Sequence, residues 1–308
     1  MPDLIKKIKQ LKHQKNAVIL AHYYQSPEIQ DAADYVGDSL GLSQEAAKTK
    51  ADIIVFAGVH FMAETAKILN PKKKVLLPDV NAGCSLAESC SPKKFREVIK
   101  NHPKHVVITY VNCSAEIKSL SDIVCTSSNA LNIVKSIPKN KQILFAPDKN
   151  LGKYIIKKTG RNLLLWDGAC IVHEAFSIDK LLKLHNEHPN SKIIAHPESE
   201  EHVLNLAVYV GSTKGMINYV IKHPNQKYIV ATEAGILHQM QQEVPQTELI
   251  PAPVAEDNIC ACSECHFMKV NTLKKLYNCL LNEVPEVTIS EKILKQARKP
   301  IDRMLQLS

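Results

Sequence analysis

Three cysteines occupy comparable positions in the chain, each a few residues after a short apolar run that ends in a turn. They are Cys84, Cys170 and Cys265, which lie 86 and 95 residues apart. The stretches around them read VLLPDVNAGCSLAESC, LLLWDGACIVHEAF and LIPAPVAEDNICACSECHFM. A cysteine where a helix begins lies in the field of the helix dipole, which favours the thiolate that a metal requires. One cysteine from each of three similar stretches therefore predicts a shared metal centre.

Other polar residues recur with nearly the same period at the ends of three apolar runs. Each run ends in two polar residues separated by one position: His22 and Tyr24, Tyr110 and Asn112, His196 and Glu198. Because side chains i and i+2 of a strand point the same way, both members of a pair would face one site if the strand extends that far. Hydroxyl residues before a helix recur next, at Ser39, Ser127 and Thr213. Such positions suit phosphate or carboxylate, although each hydroxyl could simply cap its helix.

The recurrence of these landmarks in one order indicates three copies of one structural unit. Within each copy, apolar strands alternate with helices of ~10–15 residues, which is typical of βαβ units with parallel sheets. Ligands bind such sheets beyond the carboxyl ends of the strands, where these polar residues lie. We therefore predict an α/β fold of three units around a pseudo-threefold axis, with the site at its centre. The expected units are 1–90, 91–190 and 191–308, the last with two C-terminal helices that could pack on the first unit.

Composition narrows the class of protein. The chain has 308 residues, of which 45% are hydrophobic and 23% charged, as in ordinary soluble proteins. We expect no transmembrane helix, because no apolar run approaches ~18 residues. Nine cysteines without a secretory signal favour the reducing cytoplasm, where cysteines more often bind metals or act in catalysis than form disulfides. The net charge of +8 could attract anionic substrates, but scattered lysines and only 5% aromatic residues argue against nucleic-acid binding.

The third cysteine lies in a local cluster that allows other interpretations. Cys260, Cys262 and Cys265 form a C-x-C-x-x-C run followed by His266. This run could hold zinc on its own, but it supplies three thiolates where a structural zinc site needs four well-placed ligands. Cys262 is the alternative to Cys265 as the third ligand of the shared centre.

Three thiolates are an incomplete ligand set for a [4Fe–4S] cluster, which normally takes four. One iron would then stay open and could act as a Lewis acid that helps a hydroxyl leave as water. That is the chemistry of a dehydratase rather than of an electron carrier. His173 lies three residues after Cys170, on the same face of a helix, and is a candidate to support this centre.

The sequence resembles the quinolinate synthase family of de novo NAD biosynthesis over essentially its whole length. The matching motifs are AHYYQ, VGDSL, LLPDVNAGCSLAESC, YVNCSAEIK, CTSSNA, WDGACIVHE, AHPE, VGST and CSECHFMKVN. The resemblance implies three α/β/α sandwich units around a pseudo-threefold axis, with a [4Fe–4S] cluster on Cys84, Cys170 and Cys265. It implies a transferase-type synthase that condenses iminoaspartate with dihydroxyacetone phosphate to give quinolinate, phosphate and water. L-aspartate oxidase, which makes iminoaspartate, is then a candidate transient partner.

The resemblance also assigns residues to the site. The implied substrate contacts are His22, Tyr24, Ser39, Tyr110, Asn112, Ser127, His173, His196, Glu198 and Thr213. We hypothesise that the hydroxyls hold phosphate and carboxylates, that the histidines orient carboxylates, and that Glu198 and Tyr24 move protons. Tyr110 and His173 complete the set of catalytic candidates. The chain departs from many relatives in the spacing of Cys260 and Cys262, which puts a regulatory disulfide there in doubt, and in having His266 where proline is common.

Two other functions compete with this interpretation. A different [4Fe–4S] hydro-lyase would use the same open iron on another hydroxy acid. A redox sensor or electron carrier would have a fully ligated cluster and no small-molecule site, which conflicts with the polar residues at three equivalent strand ends.

Overall fold

The protein was analysed as a computed structural model, which describes residues 2–255 and 263–308. The first sheet and the helices around it occupy the N-terminal part of the chain. In order, the elements are α1 (Pro2–Gln14), β1 (Ala17–His22), α2 (Pro27–Ala32), β2 (Tyr35–Gly37), α3 (Ser39–Lys48), β3 (Ile53–Ala57), α4 (His60–Leu69), β4 (Lys74–Leu76) and α5 (Ser85–Ser89).

The second sheet repeats this alternation. Its elements are α6 (Pro92–Asn101), β5 (Val106–Tyr110), α7 (Ala115–Ser119), β6 (Ile123–Cys125), α8 (Ala130–Ser136), β7 (Ile143–Ala146), α9 (Lys149–Thr159), β8 (Leu163–Leu165) and α10 (Ile171–Glu174).

The third sheet follows, and three further helices end the chain. The elements are α11 (Ile178–Glu187), β9 (Ser191–Ala195), α12 (Glu201–Leu206), β10 (Tyr209–Val210), α13 (Thr213–Lys222), β11 (Lys227–Ala231), α14 (Ile236–Glu243), β12 (Glu248–Pro251), α15 (His266–Lys269), α16 (Leu273–Asn282) and α17 (Glu291–Gln306).

The three sheets share one topology. Each has four parallel strands, in the orders β2-β1-β3-β4, β6-β5-β7-β8 and β10-β9-β11-β12. The inner strands are mostly buried, and Ile53–Ala57 is an apolar run buried along its whole length, because helices cover both faces of a parallel sheet. The prediction of an α/β protein with three similar parallel units is confirmed. The boundaries at residues 90 and 190 stay a prediction.

The C-terminal helices return to the first two sheets. In α16, Leu276 and Leu280 are fully buried in a cluster with Ile8 of α1 and Ile19 of β1. The buried face of α17 packs on α4 of the first unit and on α7 and β6 of the second. α16 therefore packs on the first unit, and α17 joins the first unit to the second. The sequences of these two helices alone did not identify these partners.

Glu283, at the end of α16, accepts hydrogen bonds from two lysines. These hydrogen bonds make the stability of the fold depend on pH. The carboxylate oxygens of Glu283 lie 2.7 Å from Lys15 Nζ and 2.5 Å from Lys74 Nζ. These hydrogen bonds lower the pKa of Glu283 from its ordinary value of 4.5 to about 2. A carboxyl whose pKa is lower in the folded state stabilises the fold above its unfolded pKa, and this contribution fades as the pH falls towards 2.

We expect Glu283→Gln to lower the free energy of unfolding at neutral pH, with a loss that shrinks in acid. Urea unfolding of the parent and the variant between about pH 7 and pH 3 would measure this, because the contribution is lost mainly below the unfolded pKa. Glu291→Gln is the control, because Glu291 is exposed and lies 3.9 Å from Lys295 Nζ. A difference between parent and Glu283→Gln that is constant over this range would contradict the expectation.

Candidate active site

One buried pocket collects the recurring residues of all three units. It lies at the carboxyl ends of β1, β5 and β9, and we call it the central pocket. All thirteen residues that the sequence predicted for the site line it: His22, Tyr24, Ser39, Cys84, Tyr110, Asn112, Ser127, Cys170, His173, His196, Glu198, Thr213 and Cys265. Tertiary packing has thus placed residues from distant parts of the chain around one space.

The three cysteines share one local arrangement. Cys84, Cys170 and Cys265 each immediately precede a short helix, α5, α10 and α15, and all three are free thiols. Burial raises the pKa of Cys84 to about 12 and that of Cys265 to about 11, and it raises the pKa of Cys170 strongly. Metal coordination reverses this preference, because a coordinating thiol loses its proton. Three partly buried thiols in one pocket are therefore a donor set for a soft metal centre.

Gly168 allows the segment before Cys170 to approach the segment after Cys84. A Cβ atom at this position would lie 2.6 Å from the Pro147 carbonyl oxygen, and it would also collide with the side chain of Ser89 in α5. Glycine therefore permits a contact between two cysteine-bearing loops that a larger residue would push apart.

Glu198 contacts three polar side chains of the pocket and is 2% exposed. Tyr110 Oη donates to its Oε1, Asn112 Nδ2 lies 3.4 Å from the same oxygen, and His173 Nδ1 lies 3.0 Å from Oε2. Burial would raise the pKa of Glu198, but the His173 and His196 rings and the hydrogen bonds outweigh it and lower that pKa to about 2. Glu198 is therefore a carboxylate at neutral pH.

A chain of hydrogen bonds runs from Glu198 to Tyr24. His173 Nε2 lies 3.0 Å from Thr232 Oγ1, which lies 2.7 Å from Tyr24 Oη. His173 Nδ1 also lies 3.2 Å from Cys170 Sγ. Burial, then the charge of Glu198, raise the pKa of Tyr24 well above its ordinary value, so the phenol keeps its proton. This series of hydrogen bonds connects the protonated phenol of Tyr24 to the ionised carboxylate of Glu198.

The same contacts offer a possible site for a single metal ion. Ligand atoms of Cys170, His173 and Glu198 all lie within 4.8 Å of one another. The described part of the chain therefore contains two overlapping donor sets: this mixed trio and the three thiols.

His22 and His196 are held in one orientation by equivalent backbone contacts. The Nδ1 atom of each ring accepts the N–H of the residue two positions later, at 3.2 Å for Tyr24 and 3.4 Å for Glu198. The proton of each neutral ring is then on Nε2, and His196 Nε2 lies 3.2 Å from Ser127 Oγ. Burial lowers the pKa of both histidines to about 3. Both rings are therefore neutral hydrogen-bond donors at neutral pH.

The recurring hydroxyls are not the caps of their helices. Asp38 caps α3 by accepting the Gly41 N–H, and Ser212 caps α13 by accepting the Gly215 N–H. The residue that precedes α8 is Asn129, two positions after Ser127. This leaves the hydroxyls of Ser39, Ser127 and Thr213 in the pocket lining, where the cap interpretation does not explain them.

Comparison with known proteins now identifies the family. A family model described as "Quinolinate synthetase A protein" matches residues 6–306. The chain belongs to the quinolinate synthetase A family. It is 60% identical over 306 residues to a quinolinate synthase of Microcystis aeruginosa. The aligned residues cover 99% of this chain and 95% of that protein. This chain is 58% identical to a quinolinate synthase of Synechococcus and 56% to one of Chloroherpeton thalassium, with the same coverage in each case.

Two site residues of this quinolinate synthetase A family member were missed from the sequence. Thr232 joins Tyr24 to His173, and Glu233 lines the central pocket. Both directly follow β11 and so lie at the carboxyl end of a parallel strand, where functional residues gather. The signal was therefore present, but the equivalent positions in the other copies carry different residue types.

The remaining cysteines of this family member divide into two groups. Four others are buried in the hydrophobic cores: Cys90, Cys113, Cys125 and Cys279. Cys260 and Cys262 lie outside the described residues. They are two of the three thiolates of the predicted zinc site, and Cys262 is also the alternative third ligand. No described helix is long and apolar enough to cross a membrane.

Proposed function

We propose that this protein is a quinolinate synthase that condenses iminoaspartate with dihydroxyacetone phosphate to give quinolinate, phosphate and water. The observation that carries this proposal is the meeting, in one buried pocket, of three thiols from three units with the Glu198 carboxylate and the recurring hydroxyls. The names of the relatives support the same reaction. Another hydro-lyase is the alternative, and substrate use separates the two.

We assign Cys84, Cys170 and Cys265 as the ligands of a [4Fe–4S] cluster. The donor set fits, because the thiols are equivalent in position, partly buried and free. The mixed trio with His173 and Glu198 is the less favoured donor set, since those two side chains already bond each other and leave Cys84 and Cys265 without a role. When bound, a cluster with three protein ligands supplies an open iron that acts as a Lewis acid in dehydration.

The residues of the chain provide sites for the anionic groups of both substrates. Ser39, Ser127 and Thr213 lie in the pocket without capping duties, and their hydroxyls can donate to phosphate and carboxylate oxygens. The Nε2–H groups of His22 and His196 can do the same without carrying a charge. Neutral donors orient the substrate and still allow the anionic product to leave.

Proton transfer is assigned to Glu198 and Tyr24, the two ends of the hydrogen-bonded chain through His173 and Thr232. Glu198 accepts a proton, and the Tyr24 phenol donates one. With a pKa of about 2 the carboxylate is a weak base in the free protein. If a substrate oxygen accepted the Tyr110 hydroxyl in place of Glu198, one of the hydrogen bonds that lower the pKa of Glu198 would be lost. The carboxylate would then become a stronger base.

An anaerobic purification tests the proposal. Iron and sulfide are counted per chain, and phosphate and quinolinate are assayed after addition of iminoaspartate and dihydroxyacetone phosphate. We expect four irons per chain, as a [4Fe–4S] cluster requires, and both products. Four irons without quinolinate would favour the other hydro-lyase, and no iron after reconstitution would refute the cluster assignment.

The hydroxyl of Thr213 has a neighbouring control. We expect Thr213→Val to raise KM about fivefold with little change in kcat, because one hydrogen bond of ~1 kcal/mol to the substrate is lost. Ser212→Ala should instead lower stability by ~1 kcal/mol, through loss of the cap on α13, and leave KM unchanged. Steady-state kinetics and urea unfolding of both variants check this. Equal KM values in the parent and Thr213→Val would remove Thr213 from substrate binding.

The proposal includes a cytoplasmic location, which the nine cysteines and the thiol-ligated centre favour. Transient contact with L-aspartate oxidase stays a prediction.

A further inference from the structure

Cys265 reaches the central pocket by a longer path than the other two proposed ligands. Cys84 lies 8 residues after the end of β4, and Cys170 lies 5 residues after the end of β8. Cys265 lies 14 residues after the end of β12. A short connection lets the sheet itself fix a cysteine, whereas a longer one requires other contacts to do so.

Glu233 provides such a contact from the third unit. It lies two residues after the end of β11, and its side chain is 0% exposed. Its Oε1 accepts the backbone N–H of Cys265 at 3.1 Å, and its Oε2 accepts the N–H of Gly235 at 2.7 Å. The carboxylate thus holds the cysteine's own backbone to the end of a rigid central strand.

Lys269, in the helix that follows Cys265, completes this contact. Its Nζ lies 3.0 Å from Glu233 Oε1 and donates to the Tyr24 carbonyl oxygen at 2.9 Å. A backbone bond from Ala234 N to the Ser263 carbonyl oxygen, at 3.1 Å, lies on the other side of Cys265. The segment 263–269 is therefore tied to the first unit as well as to the third.

The equivalent strand positions differ in the other units, which argues that this contact is specific to Cys265. Two residues after β3 the chain has Val59, which cannot form an ion pair. Two residues after β7 it has Asp148, whose side chain accepts the Leu151 N–H as the cap of α9. Among the three proposed ligands, only Cys265 donates its backbone N–H to a carboxylate within the described residues.

We propose that Glu233 and Lys269 are a positioning pair that sets the place of Cys265 in the central pocket. The proposal rests on the proposed role of Cys265 as a cluster ligand. Neither side chain needs to touch the substrate, and both act through the backbone and helix that carry the cysteine. Loss of the pair should release one of the three ligands before the others.

The test uses the parent and variants purified and reconstituted under argon with iron and sulfide. Glu233→Gln replaces a buried carboxyl group that accepts hydrogen bonds at both oxygens by an amide that can accept at only one, and Lys269→Gln is a milder second variant at a partly exposed residue. Glu286→Gln is the matched control, because Glu286 pairs with Lys67 Nζ at the same 3.0 Å but away from the pocket. Each protein is challenged with an iron chelator and iodoacetamide. Visible absorbance follows cluster loss, and peptide mass spectrometry shows which cysteine is alkylated first.

We expect both pair variants to lose the cluster about 10- to 100-fold faster than the parent, as for other groups that orient metal ligands. Cys265 should be alkylated before Cys84 and Cys170, and Glu286→Gln should behave as the parent does. Parental rates of loss in both pair variants would overturn the proposal, as would simultaneous alkylation of all three cysteines. A parent that binds no iron and sulfide would refute the cluster itself, a result distinguishable from a defect seen only in the variants.

Discussion

Glu198→Gln is expected to lower the rate of quinolinate formation by about 10²- to 10⁴-fold, the range for loss of a general acid–base group. The amide keeps the size of the carboxylate but removes its charge. It cannot accept a proton in the same way, and it presents an N–H₂ group to one of the donors that now face Glu198. The hydrogen bonds from Tyr110 and His173 show that both carboxylate oxygens are used as acceptors.

The fold and the metal content should survive this change. The new amide would be buried where the carboxylate was, so a loss of ~1–3 kcal/mol in stability is the upper range expected for one imperfectly satisfied polar group. Turnover, iron per chain and urea unfolding are measured on one preparation. Glu200→Gln is the control, because Glu200 is two residues away and its side chain is 43% exposed. Near-normal turnover in Glu198→Gln would remove Glu198 from the mechanism, and a loss of iron would favour the mixed metal site with Cys170 and His173.

Replacement of any one of Cys84, Cys170 and Cys265 by alanine is expected to abolish quinolinate formation and to prevent stable cluster binding. The cluster has three protein ligands, so each variant removes one of them and leaves a second iron without a cysteine. The chain without metal should still fold, because burial favours the neutral thiol and alanine is smaller than cysteine. Iron and sulfide counts after anaerobic reconstitution, with circular dichroism of each variant, measure both effects.

Two further substitutions make this series specific. Cys279→Ala removes a buried cysteine of α16 that packs in a hydrophobic cluster, and it should retain parental iron content with a modest loss of stability. Cys262→Ala should also retain the cluster. If Cys262→Ala lost iron while Cys265→Ala kept it, the third ligand would be Cys262 instead.

Much of the architecture follows from local sequence. Apolar runs of strand length, each followed by a helix, specify a parallel unit, and their threefold recurrence specifies three such units. Since functional residues of parallel sheets gather at the carboxyl ends of the strands, the same recurrence indicated twelve residues that would meet, and all twelve line the central pocket together with His173, which was predicted from its spacing to Cys170. The i, i+2 contacts of His22 with Tyr24 and of His196 with Glu198 are local, but they form beyond the strands and not within them as expected, because β1 ends at His22 and β9 ends at Ala195.

Contacts between units depended on tertiary packing. The bond from Tyr110 to Glu198 joins residues 88 positions apart, and that from Tyr24 to Thr232 joins residues 208 apart. The path of α16 and α17 back to the first two sheets, and the contact of Glu233 with Cys265, are of the same kind. Periodicity reports which face of an element is buried, but the partner of that face is set by how three separate sheets pack together. The sequence therefore determined the three units and indicated thirteen residues of the central pocket. The packing of the sheets decided the hydrogen bonds between the units, because those bonds form only after distant segments have been brought within about 3 Å of one another.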